Sequence, residues 1–319
     1  STGNILEAAN QVIADNESRK DKSLWTEEPA GETIKLFCAG DEREEAAWIC
    51  DRMQQLHLSG DIYGSMAVLY RTNAQSRVLE EMLMRAGIPY RIYGGQRFYD
   101  RKEVKDVIAY LRCIVNPSDD VSLRRIINQP KRAIGESTIQ ELVRYAIEKE
   151  MPLYSALIDV PESLSARPRK CVHEFGELMN RLVLESEEMK LSEFVSHLIQ
   201  ETGLRAQYEN DQSEEGKTRL ENIDELMGAV GEYEQAAEEP TLSNYLENVA
   251  LITDLDSAET SAQYVTLMTV HSAKGLEFPT VFIAGLEEGI FPSGRNMQDE
   301  AKLEEERRLC YVAITKKKK

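Results

Sequence analysis

The sequence predicts an α/β protein: a domain built on a parallel sheet, interrupted by a mostly α-helical insertion. Three observations predict it. Short, nearly unbroken apolar runs occur at 66–69, 265–270 and 280–286, the pattern of strands buried on both faces. Helical periodicity alternates with strand-like runs in the first hundred residues, as in βα units. Strand-like runs then vanish until Val265. The expected division is 1–100 and 263–319 for the α/β domain, with 101–262 inserted between them.

Taken in order, residues 3–15 (GNILEAANQVIAD) carry apolar positions at helical spacing. TIKLFCAG (33–40) reads as a strand and DEREEAAWICDRMQQL (41–56) as a helix. The run MAVL ends in the polar YRTN and leads into the helix AQSRVLEEMLMRAG (74–87). IPYRIYGG (88–95) resembles a strand closed by Gly94 and Gly95. Within the insertion, residues 102–115, 120–128, 136–149, the long span 169–208 and 217–237 all read as helices. VTLMTV and TVFIAGL supply the last strands, and EEERRLCYVAIT a charged helix.

Composition narrows the function classes. At 319 residues and 42% hydrophobic, the chain has material for two packed cores. No window approaches the roughly 18 uninterrupted apolar residues of a membrane helix. The start, STGNILEAANQVI, lacks a basic-then-apolar signal pattern and a methionine, so a piece of a longer, non-secreted protein is expected. Five scattered cysteines, never in a CxxC, and four separated histidines indicate neither a disulfide framework nor a metal cluster; a reducing cytoplasm is expected. The formal charge of −18 argues against broad attraction to nucleic acid, so any such contact must rest on local sites. Acidic runs such as SEEMK and SEEGK read as solvated faces.

Parallel sheets bind ligands at the carboxyl ends of their strands, and two polar clusters follow such ends. In YRTNAQSR, Arg71 and Asn73 leave a strand where a helix begins, which suits a phosphate clasp or an exposed loop with a helix cap. In HSAKGLEF, His271 and Lys274 can contact phosphate or base, Gly275 permits close backbone approach, and Glu277 can accept from a sugar hydroxyl. No GxxxxGK[ST] occurs, nor a strand ending in paired acids, so P-loop hydrolysis by this chain unaided is excluded. In INQPKRAIGESTIQEL, Lys131 and Arg132 precede Ala133-Ile134-Gly135, with Ser137 or Thr138 as a helix cap. Such a turn grips duplex phosphates without regard to sequence, as in a helix-hairpin-helix, or is an ordinary helical hairpin. Basic residues at the C-terminus either reach a phosphate or complement a helix dipole.

In this order, STGNILEAANQVI, LWTEEPAGE, YRTNAQSRVLEEML, GGQRFYDRKEVKDVIAYLR, INQPKRAIGESTI, TVHSAKGLEFPTVFIAGLEEGIFP and EEERRLCYVAIT resemble the UvrD/PcrA/Rep family of superfamily-one DNA helicases over essentially the whole chain. The resemblance implies the second RecA-like motor domain of a 3′-to-5′ ATP-dependent helicase of the repair type, with its helical insertion. The first motor domain, with the Walker lysine and the magnesium acid, would be a missing partner, as would the nucleotide-binding tyrosine and arginine that precede STGNIL in the family. It further implies single-stranded DNA at Arg71, Asn73, His271 and Lys274, and nucleotide at Gly275 and Glu277. Duplex DNA is implied at Lys131, Arg132, Ile134, Gly135 and Thr138. ATP and Mg2+ belong to the full-length protein, with none expected on this piece, and no membrane partner is implied. Two positions depart from the family. Lys316 stands where an arginine finger is expected, opening a run of four lysines, and Ala133 replaces the first glycine of a Gly-Ile-Gly turn. Two other classes compete: a non-catalytic DNA-binding or regulatory module, and a helicase–nuclease subunit, against which the short distance from GIFP to EEERR argues.

Overall fold

Four short strands form one sheet in the order β2-β3-β1-β4, every neighbouring pair parallel. The computed structural model describes residues 1–17, 25–256 and 263–317. Helix α1 (Gly3–Ala14) comes first, then α2 (Glu42–Leu58), β1 (Met66–Tyr70), α3 (Ser76–Arg85) and β2 (Tyr90–Ile92). Strands β3 (Val265–Thr269) and β4 (Thr280–Ile283) follow much later in the chain. In register, Leu69 pairs with Met268 on one side and with Ile283 on the other. All five residues of β1 are buried, which is why its sequence is uniformly apolar rather than alternating. Asp41 starts α2 by accepting from the Glu44 N–H at 2.7 Å, with Glu42, Glu44 and Glu45 in the favourable first turn.

The chain divides into two compact units, Ser1–Phe98 with Leu255–Lys319, and Tyr99–Asp254. The second unit is therefore inserted between β2 and β3, strands that are adjacent and parallel. Leu24 of the LWTEEPAGE segment, Lys318, Lys319 and the expected boundary at 262 lie outside the described residues.

The stretch TIKLFCAG, expected as a strand, pairs with nothing among the described residues. Ile34 and Leu36 face solvent; Phe37 stacks on Trp48 with ring centroids 4.8 Å apart. An edge strand needs a partner ladder and one buried face, and here only a single side chain finds cover.

The second unit is helical: α4 (Lys102–Val115), α5 (Asp120–Ile126), α6 (Glu136–Glu148), α7 (Ala166–Glu188), α8 (Leu191–Glu201), α9 (Leu204–Glu209), α10 (Glu214–Ala236) and α11 (Leu242–Asp256). The span 169–208, read as one helical run, breaks twice. Met189 and Lys190 are extended, and Gly203 at φ +78° ends α8 in a left-handed turn. Helix α11 was not among the sequence-predicted elements; Thr241 Oγ1 accepts from the Asn244 N–H at 3.2 Å at its start, and Tyr245 and Val249 are buried. Tyr110, Phe175, Phe194 and Tyr208 are buried in this unit. Asn222 on α10 accepts from Arg101 at 2.7 Å and donates to Glu103, so this buried polar group is satisfied on both sides.

Back in the first unit, α12 (Glu300–Ile314) begins at Asp299, whose carboxylate accepts from Ala301 N and Lys302 N. The sheet is covered on both faces. Met53, Val68, Leu83, Leu267 and Phe282 belong to the cluster that includes α2 and α3. Leu69, Met268, Phe291, Leu309 and Ala313 belong to the cluster on the α12 side. Asn16, just past α1, donates to the Glu304 carbonyl at 3.0 Å, joining α1 to α12. Among the described residues no helix is long and apolar enough to cross a membrane.

Candidate nucleic-acid and nucleotide interface

Because all strands run the same way, the residues that follow them emerge on one rim. Val270 N donates to Tyr70 O at 2.9 Å, so the turns after β1 and β3 start side by side. After β1, the N–H groups of Arg71 and Thr72 both donate to Gln75 Oε1 at 2.9 Å, and Thr72 and Gln75 close a capping box. After β3, Thr269 Oγ1 bonds Ser272 Oγ at 2.9 Å, and Ala273 is buried as a plug. His271 and Lys274 are left exposed on either side of it. The position of a Cβ on Gly95 lies 3.9 Å from Asn73 Oδ1, and that on Gly94 lies 3.4 Å from Ser272 Oγ. Three strand ends thus meet, and they bring Arg71, Asn73, His271 and Lys274 onto one rim.

Gln75, Gly285 and Glu45 also shape this rim, and the sequence reading did not single them out. Gly285 sits at φ +69°, which favours glycine, and a Cβ there would lie 2.2 Å from Gln75 Nε2 and displace the end of that capping side chain. Gly285 N donates to Glu45 Oε1 at 2.9 Å; burial pushes the Glu45 carboxyl up, with Glu287 and Glu42 adding to the rise.

Arg71 does not stand free. Its Nε lies 3.1 and 3.0 Å from the two Glu306 carboxylate oxygens, and its Nη2 lies 2.8 Å from Glu306 Oε1. Glu306 also accepts from Asn296 Nδ2 at 2.6 Å and Ser293 N at 3.4 Å. Burial alone would raise this carboxyl; the hydrogen bonds from Arg71, Asn296 and Ser293 outweigh it and hold Glu306 below the usual carboxylate range. His271 is pushed below the ordinary imidazole value, first by desolvation and then by the Arg71 charge, with Glu306 and Glu305 opposing. Glu306 was legible only as one of three glutamates in EEERR.

The turn after β3 continues to the residues read as nucleotide contacts. Gly275 has φ +84°, a left-handed conformation that favours glycine, and nothing within 4 Å of its Cβ position. Glu277 is exposed, and the next residue, Phe278, donates its N–H to Lys316 O at 3.0 Å. Lys316 is half-buried just beyond α12. Ser1 Oγ donates to Lys317 O at 3.0 Å in the same place.

In the helical unit, the turn between α5 and α6 holds the second set. Lys131 is exposed. The Arg132 guanidinium turns inward: it donates to Ile126 O, Pro130 O and Thr202 O at 3.3, 3.0 and 2.9 Å, and lies 5.0 Å from the Phe175 ring centroid. Ile134 is fully buried, which pins the turn to the core. Gly135 is itself the N-cap of α6, so the helix starts earlier than a Ser137 or Thr138 cap would allow. Thr138 sits inside the first turn with a buried side chain. What faces outward is Lys131 with Ala133 and Gly135 on either side of the buried Ile134. Ala133 adopts φ +58°, while Gly135, at φ −80°, has nothing within 4 Å of its Cβ position.

The family model of the UvrD-like helicase C-terminal domain matches residues 1–319. Among similar proteins, the ATP-dependent DNA helicase PcrA of Staphylococcus epidermidis is 47% identical over 321 residues, covering 99% of this chain and 44% of that protein. The ATP-dependent DNA helicase PcrA of Staphylococcus aureus is 46% identical, with the same coverage. The chain therefore spans less than half the length of the curated relatives it matches.

Proposed function

The chain belongs to the UvrD-like helicase C-terminal domain family, and from that premise we propose that it is the C-terminal motor part of an ATP-dependent DNA helicase that translocates 3′ to 5′. One observation carries the reading. The ends of the adjacent parallel strands β1 and β3 gather Arg71, Asn73, His271 and Lys274 on one rim, and the same turn runs on to Gly275 and Glu277 beside Lys316.

Lys274 and the Asn73 carboxamide suit the phosphates of a single strand, and a neutral His271 can donate to one or stack on a base. On the nucleotide side, Gly275 leaves room for close approach, Glu277 is free to accept from a sugar hydroxyl, and Lys316 offers a cation; these fit one face of ATP. ATP with magnesium supplies the phosphoryl transfer that drives movement. Magnesium, which takes one or two carboxylates besides phosphates and waters, would be held by the phosphates and the first motor domain. Because one short turn touches both sides, a change in nucleotide contact biases the strand contact, which is coupling in the thermodynamic sense. In the insertion, Lys131 and the backbone N–H groups of the exposed Ala133 and Gly135 grip duplex phosphates without reading bases. The assembled protein works on DNA in the cytoplasm, in repair.

The test joins this chain to a first motor domain carrying a GxxxxGK[ST] loop. ATP hydrolysis stimulated by single-stranded DNA and unwinding of a 3′-tailed duplex are expected, and Lys274→Ala should weaken the stimulation. Hydrolysis indifferent to DNA, with strand binding unaltered by Lys274→Ala, would replace the motor by a non-catalytic module.

A further inference from the structure

The geometry points to Glu306 as the positioning residue for Arg71, a role that rests on the reading of Arg71 as part of the single-strand track. Four features of the pair carry it. The side chain of Glu306 is 3% exposed and that of Arg71 19%, so the pair sits at the boundary between core and rim. The contact is a planar fork through Nε and Nη2, which fixes the plane of the guanidinium as a single hydrogen bond would not. The Arg71 Nη1 makes no hydrogen bond among the described residues, which leaves donors for an outside acceptor. Finally, Glu306 is itself held by Asn296 and Ser293 N, so the anchor is rigid.

Two consequences follow for a phosphate arriving at Arg71. The donor is already oriented, so little side-chain entropy is lost on contact. The cation is already balanced by a buried anion, so the contact contributes geometry rather than net charge. A strand that must be released at every step is then held at this point by a weakly salt-dependent contact. Glu306 lies on α12, and Lys316 follows that helix two residues past its last residue, Ile314, so the anchor of a strand contact and the nucleotide-side cation are linked through one helix.

The test measures single-stranded DNA binding by the 319-residue chain by fluorescence anisotropy across a salt series. Glu306→Gln keeps the size and strips the charge. It is expected to tighten binding at low salt and steepen the slope of log affinity against log salt by about 0.7, the value for one phosphate on a single strand. That steepening corresponds to a roughly 2.6-fold larger loss of affinity between about 50 and 200 mM salt. In an Arg71→Ala background the same substitution should leave the slope unchanged. Arg71→Lys keeps the charge and loses the fork, and should weaken binding nearly as much as Arg71→Ala; it reads the positioning role even if Glu306→Gln fails to fold. A parental slope in folded Glu306→Gln, equal steepening without Arg71, or parental affinity in Arg71→Lys would each overturn the inference alone. Parental binding by Arg71→Ala would instead remove the strand-track reading beneath it.

Discussion

The backbone N–H of Phe278 donates to the carbonyl oxygen of Lys316 at 3.0 Å, so the turn after β3 and the segment after α12 are bound edge to edge. The bond sets Glu277 beside Lys316, residues 39 positions apart in the chain. When this chain is joined to a first motor domain carrying a GxxxxGK[ST] loop, Lys316→Arg is expected to preserve or raise ATP turnover. An arginine finger is worth about 1,000-fold or more, and lysine keeps its charge while lacking its fork. A severe fall in steady-state turnover would assign Lys316 a different task.

The chain by itself should show no DNA-stimulated ATPase activity, because no GxxxxGK[ST] loop is present in its 319 residues. Turnover assays with and without single-stranded DNA check this. Turnover on the ordinary enzyme scale of about 1–1,000 per second that follows the purified chain would contradict it.

His271 should titrate below the ordinary imidazole value, so it is neutral near pH 7. Its proton is disfavoured by desolvation and by Arg71, with Glu306 and Glu305 acting the other way. An NMR titration of the ring protons should place the midpoint under about 6.5, the unperturbed value. Arg71→Ala should move it up, because a nearby cation is lost and Glu306 is left uncompensated. Strand affinity should accordingly strengthen as pH falls through that lowered midpoint, and Glu305→Gln should lower the midpoint further. A midpoint that ignores Arg71→Ala would refute the electrostatic account.

Lys131 and Arg132 are neighbours with different expected effects. Lys131→Ala should reduce the slope of log duplex affinity against log salt by about 0.9 and leave stability nearly unchanged. Arg132→Ala strips donors from Ile126 O, Pro130 O and Thr202 O and empties a place against Phe175. It should cost about 2–4 kcal/mol of unfolding free energy while leaving the duplex slope of the folded protein unaltered. Denaturant titration beside anisotropy separates the two. A slope unchanged in Lys131→Ala would make the turn an ordinary helical hairpin.

Ala133 occupies φ +58°, where a β-carbon is strained by about 1–2 kcal/mol. Ala133→Gly relieves that strain but enlarges the freedom of the unfolded chain, which offsets roughly 0.5–1 kcal/mol. A net gain of about 0.5–1 kcal/mol is expected in chemical denaturation of the helical unit. A loss would mean that the methyl group packs more favourably than the backbone is strained.

The amino-acid sequence by itself determined the strands at 66–70, 265–269 and 280–283, the helices that alternate with or interrupt them, and the polar turns at their ends. Apolar runs and helical periodicity are set by neighbours a few residues away, so they are visible in one dimension. Local pattern misled where burial had to come from elsewhere. TIKLFCAG reads as a strand, yet only Phe37 finds a covering ring, and α11 forms without a sequence expectation, with Tyr245 and Val249 buried. Tertiary structure alone decided which charges remain available. Arg71 meets Glu306 across 235 positions and Arg132 reaches Thr202 across 70, so two arginines with the same look in the sequence are both engaged, one at the rim and one in the core. A charged side chain carried out of water is stable only with a partner, and the partner is whichever residue the packed elements bring within hydrogen-bond reach.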